Sequence, residues 1–397
     1  MHAVASTSNR SKDSDSIRIY DPVRVFVEGC LGMGIAVRGD NRYLKRVRFI
    51  GGILQKLQRH PKRIVFPEGT EPRVLQAARQ FFTLQLGAPI LLGDRTRIKQ
   101  LAANLNLSLE GVRIINPGDS EELNRFAKVY ARHREDRGMT LEKAREKMLQ
   151  PNYFGSMMVA MRQADGVVSG TNEAAGSVLR PLFQVFRRAP GVSTASSCMI
   201  MEVEDTRFGN EGALFMSDCG VIPDPSVEQL ADIAVSTAAL ALRLSGIRPR
   251  VALLSFSTHG SARHASVDKV RAAKDLAIEK ADAIMLGADF DGDLQVDAAL
   301  VPEVAELKHN ESPVAGRANV LVFPDLNSGN IGSKLVQHMA RANAYGQIIL
   351  GLDQPAADVS RGANAHDILG VAGIVGLQAI AYRELYPDAG MRFPIDV

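Results

Sequence analysis

From about residue 62 to the end of the chain, short apolar runs rich in β-branched residues alternate with helix-length amphipathic stretches. That alternation is what most constrains the fold. Residues 63–66, 89–92, 111–115 and 165–169 read as strands, with helices over 71–86, 95–104, 120–135 and through 179–186. Further on, 250–256, 319–323 and 348–350 read as strands, together with a short one near Ile284. Helices are expected from about 267, after 301, and from about 365 to 382. Strands separated by helices cover both faces of a largely parallel sheet, so the expectation is a doubly wound α/β fold. Residues 198–201 and 213–216 can form a hairpin across a polar, Gly-containing connection. The clearest helix spans 225–245: Ser226 and Gln229 can make a capping box, and Leu230, Ile233, Thr237, Leu240 and Leu244 share one face.

A chain of 397 residues is too long for one ordinary core and implies two domains, or one with an inserted lobe. Residues 1–45 differ from the rest. A Ser/Asp/Lys-rich tract leads to a Gly-rich patch and a basic cluster at Arg42, Lys45, Arg46 and Arg48. Over residues 1–60 eleven Lys/Arg face five Asp/Glu. The segment reads as an N-terminal extension, poorly ordered or docked on the surface. The net charge of the whole chain is only +3, so nothing global points to nucleic acid or to a membrane. No apolar run approaches the roughly twenty residues of a membrane span. Cys30, Cys198 and Cys219 fit neither a metal spacing nor a secreted disulfide framework, and the last two read as small core residues. A reduced, cytoplasmic enzyme without a metal is expected.

Three loops between strand and helix are polar and Gly-rich: Pro67-Glu68-Gly69-Thr70-Glu71-Pro72-Arg73, Ser169-Gly170-Thr171-Asn172, and 324–330 (PDLNSGN). Carboxyl ends of parallel strands are where α/β proteins bind ligands. No GxGxxG opens a helix after a strand and no GxxxxGK[ST] occurs, which argues against a standard dinucleotide site or P-loop. The segment Asp358-Val359-Ser360-Arg361-Gly362, followed by Asp367, gathers a hydroxyl, a guanidinium and a carboxylate. A guanidinium suits phosphate, and an unpaired carboxylate can take a proton. The set suits a reaction in which a phosphate and a proton both move. The competing reading is a helix cap, with Asn364 at N-cap and Asp367 at N3.

Several stretches in colinear order carry a resemblance. They are RIVFPEGTEPRVLQAA (63–78), GMTLEKAREKMLQPNYFGSMMV (138–159), ADGVVSG (164–170), LRP (179–181) and IPDPSVEQLADIA (222–234). The series ends with GDLQVDAALVPEVA (292–305), SPVAGRANVLVFPDLNSGNIGSKLVQ (312–337) and DVSRG (358–362). Over about residues 48–385 the chain resembles the phosphate acetyltransferase and phosphate butyryltransferase family, and VSRG with its following aspartate is nearest the acetyltransferases. The resemblance implies two doubly wound α/β domains with the active site in a cleft between them. Mapped here, residues 46–192 plus 347–397 form the first domain, and 193–346 form a second, inserted one. It also implies a homodimer and acyl transfer between coenzyme A and inorganic phosphate. Coenzyme A is then a substrate, and neither cofactor nor metal is needed.

By the same resemblance Asp367 takes the thiol proton, Ser360 hydrogen-bonds the thiol sulfur, and Arg361 binds phosphate and polarises the acyl carbonyl. Arg180 and Arg134 match two further anion-binding arginines. Departures fall at Ala174 and Ala175, where the family often has hydroxyl residues, at the 258–264 loop, and at Ala363 in place of a frequent Cys. His259 and His264 read as solvated loop residues, and Asn327 and Asn330 as organisers of their loop. Rival readings are a butyryltransferase-like enzyme, a non-catalytic acyl-CoA-sensing module, and a metal- and NAD-dependent decarboxylating dehydrogenase. The dehydrogenase would need an acidic metal cluster; the only dense acidic run, Asp289, Asp291 and Asp293, reads as a loop.

Overall fold

A computed structural model describes residues 48–308 and 311–385. The N-terminal extension therefore lies outside the described residues. The first α/β stretch runs α1 (Arg48–Arg59), β1 (Lys62–Phe66), α2 (Pro72–Thr83), β2 (Gly87–Leu92), α3 (Arg95–Asn104), β3 (Arg113–Ile115) and α4 (Glu122–His133). It continues through α5 (Leu141–Met148), α6 (Pro151–Ala160), β4 (Gly166–Ser169) and α7 (Ala175–Val185). The middle of the chain gives β5 (Ser196–Glu202), β6 (Ala213–Ser217), α8 (Val227–Ser245), β7 (Arg250–Leu254), α9 (Ala265–Ala283) and β8 (Asp289–Leu294). After α10 (Val296–Leu300) and α11 (Pro302–Lys308) come β9 (Val320–Val322), α12 (Leu326–Met339), β10 (Asn343–Leu350), β11 (Ala356–Asp358) and α13 (Ala365–Leu385).

The eleven strands form one hydrogen-bonded sheet in the order β3-β2-β1-β4-β11-β10-β5-β6-β9-β7-β8. Both flanks are parallel, as strand–helix alternation requires. The centre is not: β10 runs antiparallel to both β11 and β5, and β5 and β6 make the expected antiparallel hairpin. The expected capping box of α8 is present, with the Gln229 N–H donating to Ser226 Oγ and the Ser226 N–H to Gln229 Oε1.

Apolar residues from the sheet and its covering helices fill the cores. α1, absent from the sequence expectations, buries Ile50, Ile53, Leu54 and Leu57 against α13. The close approach explains glycines spaced by three along α13. A Cβ at Gly373 would meet Leu54 Cδ2 at 2.5 Å, and one at Gly376 would meet Leu57 Cδ2 at 2.8 Å.

Three expectations are corrected. Ile284 does not lie in a strand; it caps the end of α9 and is exposed. The acidic run 289–294 is not a loop but strand β8, paired with β7. Its carboxylates disguise it because each has partners. Asp289 pairs with Arg248 and Asp293 with Arg271, while Asp291 meets Ser312 and the His259 ring. Asn327 and Asn330 also lie in the opening turns of α12 rather than in a loop; the Asn330 amide donates to the Cys219 carbonyl at 3.1 Å.

Candidate active site

Strands β1, β4 and β11 are neighbours and parallel, so their carboxyl ends emerge side by side. This places the Glu68, Gly170 and Ser360 loops together, at the end of the sheet expected to serve a ligand. Glu68 clasps the second of them. Its carboxylate accepts from the N–H groups of Gly170, Thr171, Asn172 and Glu173 at 2.7–3.1 Å, and from the Thr171 hydroxyl at 2.7 Å. Arg73 ties this loop to the third. Its guanidinium donates to the carbonyls of Arg361 at 2.7 Å, Ala363 at 2.8 Å and Thr171 at 3.0 Å, and to Glu71 at 2.6 Å. Gly170 lies where the two loops nearly touch. Its φ is +114°, and a Cβ there would meet Asp358 Oδ1 at 2.2 Å and the Val359 carbonyl oxygen at 2.4 Å.

The Ser360 turn closes through the Ala363 N–H to the Ser360 carbonyl, and α13 then begins. Asn364 and Asp367 form a reciprocal cap: the Asp367 N–H donates to Asn364 Oδ1, and the Asn364 N–H to Asp367 Oδ2, each at 3.0 Å. The cap reading of Asp367 is thus realised geometrically, and it leaves the second carboxylate oxygen free for other use. Asp367 is buried, and burial pushes its carboxyl up to about 6; the Asn364 N–H offsets only part of that rise. A carboxyl poised there is ionised at neutral pH yet basic enough to take a proton. Half-buried Asp358 is pushed further, to about 7, by burial and by the nearby Glu68 charge.

Ser360 Oγ accepts from Lys334 Nζ at 3.2 Å and, at 3.4 Å, from the Gly362 N–H. Lys334 belongs to α12, which packs against β5 and β6, so the contact joins two distant parts of the sheet. Nearby, Asp218 organises the turn after β6. It accepts from the Ser197 hydroxyl and from the N–H groups of Gly220, Val221 and Ile222 at 2.8–3.2 Å.

Arg134 caps the end of α4, and Arg180 is exposed on α7. Both lie near Tyr153. Burial raises the Tyr153 hydroxyl, while the two guanidinium charges counter it. Tyr153 and Tyr130 both donate to Gln184 Oε1, at 2.7 and 2.8 Å, which fixes this wall. Asn152 links the wall to the Gly170 loop: its amide oxygen accepts from the Ser169 hydroxyl at 2.8 Å, and its nitrogen donates to the Ser177 carbonyl at 3.2 Å. Among the described residues, none of Arg134, Arg180 and Arg361 has a carboxylate partner. Unpaired guanidinium groups of this kind are available to anions.

The departures take definite places. Ala174 is the N-cap of α7 and Ala175 its first residue; both are exposed and offer no hydroxyl. Ala363 is buried. His264 caps α9 by accepting from the Ser266 N–H at 3.2 Å, and His259 faces Asp291 at 3.3 Å, so neither ring is merely solvated. Sequence reasoning missed Glu68, Arg73, Asp218 and Lys334. The first two stand in a loop already marked as ligand-facing; the other two are identified only by contacts far along the chain.

Comparison with known proteins finds relatives over most of the chain. Residues 48–375 match the family described as phosphate acetyl/butaryl transferase. A phosphate acetyltransferase of Thermoanaerobacterium thermosaccharolyticum is 47% identical over 330 residues, covering 83% of this chain and 99% of that one. One from Acetivibrio thermocellus is 43% identical over 331 residues, covering 83% and 98%. Among solved structures, the EutD phosphotransacetylase from Staphylococcus aureus superposes with a TM-score of 0.76 at 39% identity, covering 84% of this chain and 99% of that one.

Proposed function

The chain belongs to the phosphate acetyl/butaryl transferase family, and we propose that it acts as a phosphate acetyltransferase, moving an acetyl group reversibly between coenzyme A and inorganic phosphate. The observation that carries the reading is a buried, reciprocally capped Asp367 beside a hydroxyl–guanidinium loop, in a relative of phosphate acetyltransferases. In the direction of thioester synthesis, Asp367 takes the proton of the coenzyme A thiol. A free thiol, with a pKa of about 8.5, is mostly protonated at neutral pH, so a base accelerates attack. The thiolate attacks the acetyl carbon, the carbon–sulfur bond forms, and the carbon–oxygen bond to phosphate breaks. Ser360 donates to the sulfur, and the proton passes from Asp367 to the departing phosphate. Arg361 offsets charge growing on the carbonyl oxygen and phosphate, and Arg180 and Arg134 hold further anionic groups.

The same reading includes two lobes, 46–192 plus 347–397 and 193–346, flanking the site. The strand order supports the division, because β5, β6, β9, β7 and β8 lie consecutively on one side. We place the second copy of a homodimer on the 193–346 lobe. There Ile331, Leu335 and Met339 form an exposed apolar stripe at i, i+4 and i+8 on α12. Purified protein is expected to sediment as a dimer and to form acetyl phosphate from acetyl-CoA and phosphate without added metal or nicotinamide. An absence of turnover with acetyl-, propionyl- and butyryl-CoA alike would favour the sensing module instead.

Arg361→Lys and Arg180→Lys keep the charge but lose the planar fork. Each is expected to weaken use of phosphate or acetyl phosphate by about ten- to a hundredfold, the worth of one charge-assisted contact. Steady-state kinetics with phosphate varied checks this. Unchanged constants in Arg180→Lys would return that residue to a surface role.

A further inference from the structure

Resting on the acetyltransferase reading, we infer that Lys334 is a positioning residue for the transfer: it forces Ser360 to act as a hydrogen-bond donor and adds positive charge where the thiolate forms. A serine hydroxyl has one proton to donate and two lone pairs to accept with. Both lone pairs of Ser360 Oγ are taken here, one by Lys334 Nζ at 3.2 Å and one by the Gly362 N–H at 3.4 Å. The hydroxyl proton is all that is left to offer, and among the described residues nothing accepts it. A hydroxyl locked in this way can meet an acceptor such as a thiolate but cannot itself take a proton. Ser360 is thereby excluded as the base, and the proton falls to a carboxyl.

Lys334 suits this task because it is not neutralised. Among the described residues its partners are two neutral oxygens, Ser360 Oγ and Gln337 Oε1, the latter at 3.3 Å. Other lysines of the chain end on carboxylates, as Lys269 does on Asp224 and Lys308 on Asp297. An ammonium carries three N–H donors, so one is left for a substrate oxygen or sulfur. The helix that carries it keeps close register with the turn after β6. Gly329 packs where a Cβ would meet the Asp218 carbonyl oxygen at 2.2 Å, and Asn330 bonds the Cys219 carbonyl. The ammonium is therefore held by a backbone that has little room to slide.

The test is a double-mutant cycle with Ser360→Ala, read as kcat for thioester formation. Lys334→Met keeps the stem and removes the charge. It is expected to lower kcat by about ten- to a hundredfold in the wild-type background, and by at least about threefold less once Ser360 is Ala, where only the direct effect of the ammonium charge on the thiolate remains to be lost. A second reading needs no turnover: coenzyme A bound to the intact protein is titrated by thiolate absorbance. Lys334→Met should move the bound thiol to higher pH, while Lys334→Arg should hold it near the wild-type position. Equal losses of kcat in both backgrounds, or an unmoved thiol titration, would overturn the inference while leaving the acetyltransferase reading intact. Wild-type protein without turnover on any short acyl-CoA would overturn that reading itself, and the inference with it.

Discussion

Asp367→Asn is expected to lower kcat by about a hundred- to ten-thousandfold, the usual worth of a general base, while coenzyme A affinity stays within a few fold. The substitution is informative because the structure gives Asp367 two duties. As an N3 residue it accepts from the Asn364 N–H, and Asn at this position keeps an oxygen for that bond. As a buried carboxyl raised to about 6, it also carries a basicity that Asn lacks. A cap alone would predict the reverse pattern: a small loss of thermal stability, about 0.3–1 kcal/mol through the helix dipole, with kcat intact. Measuring melting temperature and kcat on the same preparation separates the two.

The pH behaviour follows from the sign of the shift. A carboxyl raised on folding binds its proton more tightly in the native state than in the unfolded chain. It adds stability that is complete below the ordinary aspartate value near 3.8 and is lost as pH rises through about 6. At neutral pH the ionised group is thus a burden on the fold, so Asp367→Asn should melt at least as high as the wild type there. Activity runs the opposite way. kcat/KM for coenzyme A should fall as pH drops through about 6, where the base becomes protonated. That acid limb should vanish from the residual activity of the Asn variant.

Much of the fold is legible in the amino-acid sequence, and the boundary of that legibility is physical. Strands buried on both faces announce themselves as continuous apolar runs, so β1, β2, β4, β7 and β9 are read close to their true places. The capping box of α8 is read from two residues three apart. Strand β8 escapes because its alternate positions are aspartates, which long-range partners such as Arg271 and Ser312 make tolerable inside the sheet. The antiparallel placement of β10 depends on which strands it meets, and periodicity carries no such information. At the site, the local chemistry around Ser360, Arg361 and Asp367 is visible as a motif. Its supports are not. Arg73 acts on carbonyls 288 and 290 residues away, and Lys334 reaches Ser360 from a separate helix. Three of the charged groups around the site each satisfy several backbone or hydroxyl groups of a loop. Glu68 and Asp218 do this as acceptors and Arg73 does it as a donor, so charge-assisted bonds add to packing in holding the loops around the site.

The close approach of those loops yields the largest structural effect expected, at Gly170. The chain there has φ +114°, a region that residues with a Cβ rarely adopt, and such backbone strain costs about 1–3 kcal/mol. An added methyl would also meet Asp358 Oδ1 at 2.2 Å, Val359 O at 2.4 Å and Val359 N at 2.7 Å. Two of these three are backbone atoms, and the strand exit they belong to is pinned by the Val359 N–H donating to the Ser169 carbonyl at 2.6 Å. They cannot turn aside as a side chain would, so overpacking adds about another 1–3 kcal/mol. Gly170→Ala should therefore lower the melting temperature by several degrees. The strain has only one soft outlet, since β4 and β11 are paired up to Ser169 and Asp358. It must open the Gly170 loop away from the Ser360 turn, stretching the Arg73 bonds that bridge them. A displacement of about 1 Å in a reacting group can cost roughly a hundredfold in rate. The expected result is a soluble but less stable protein whose kcat falls about a hundredfold at a temperature where it is fully folded, with far-ultraviolet circular dichroism confirming the fold. Gly176→Ala is the control: at the start of α7, a Cβ there meets nothing within 4 Å, so kcat should be unchanged and stability unchanged or slightly raised. Full activity in folded Gly170→Ala would show that the contact between the two loops does not set the position of Ser360.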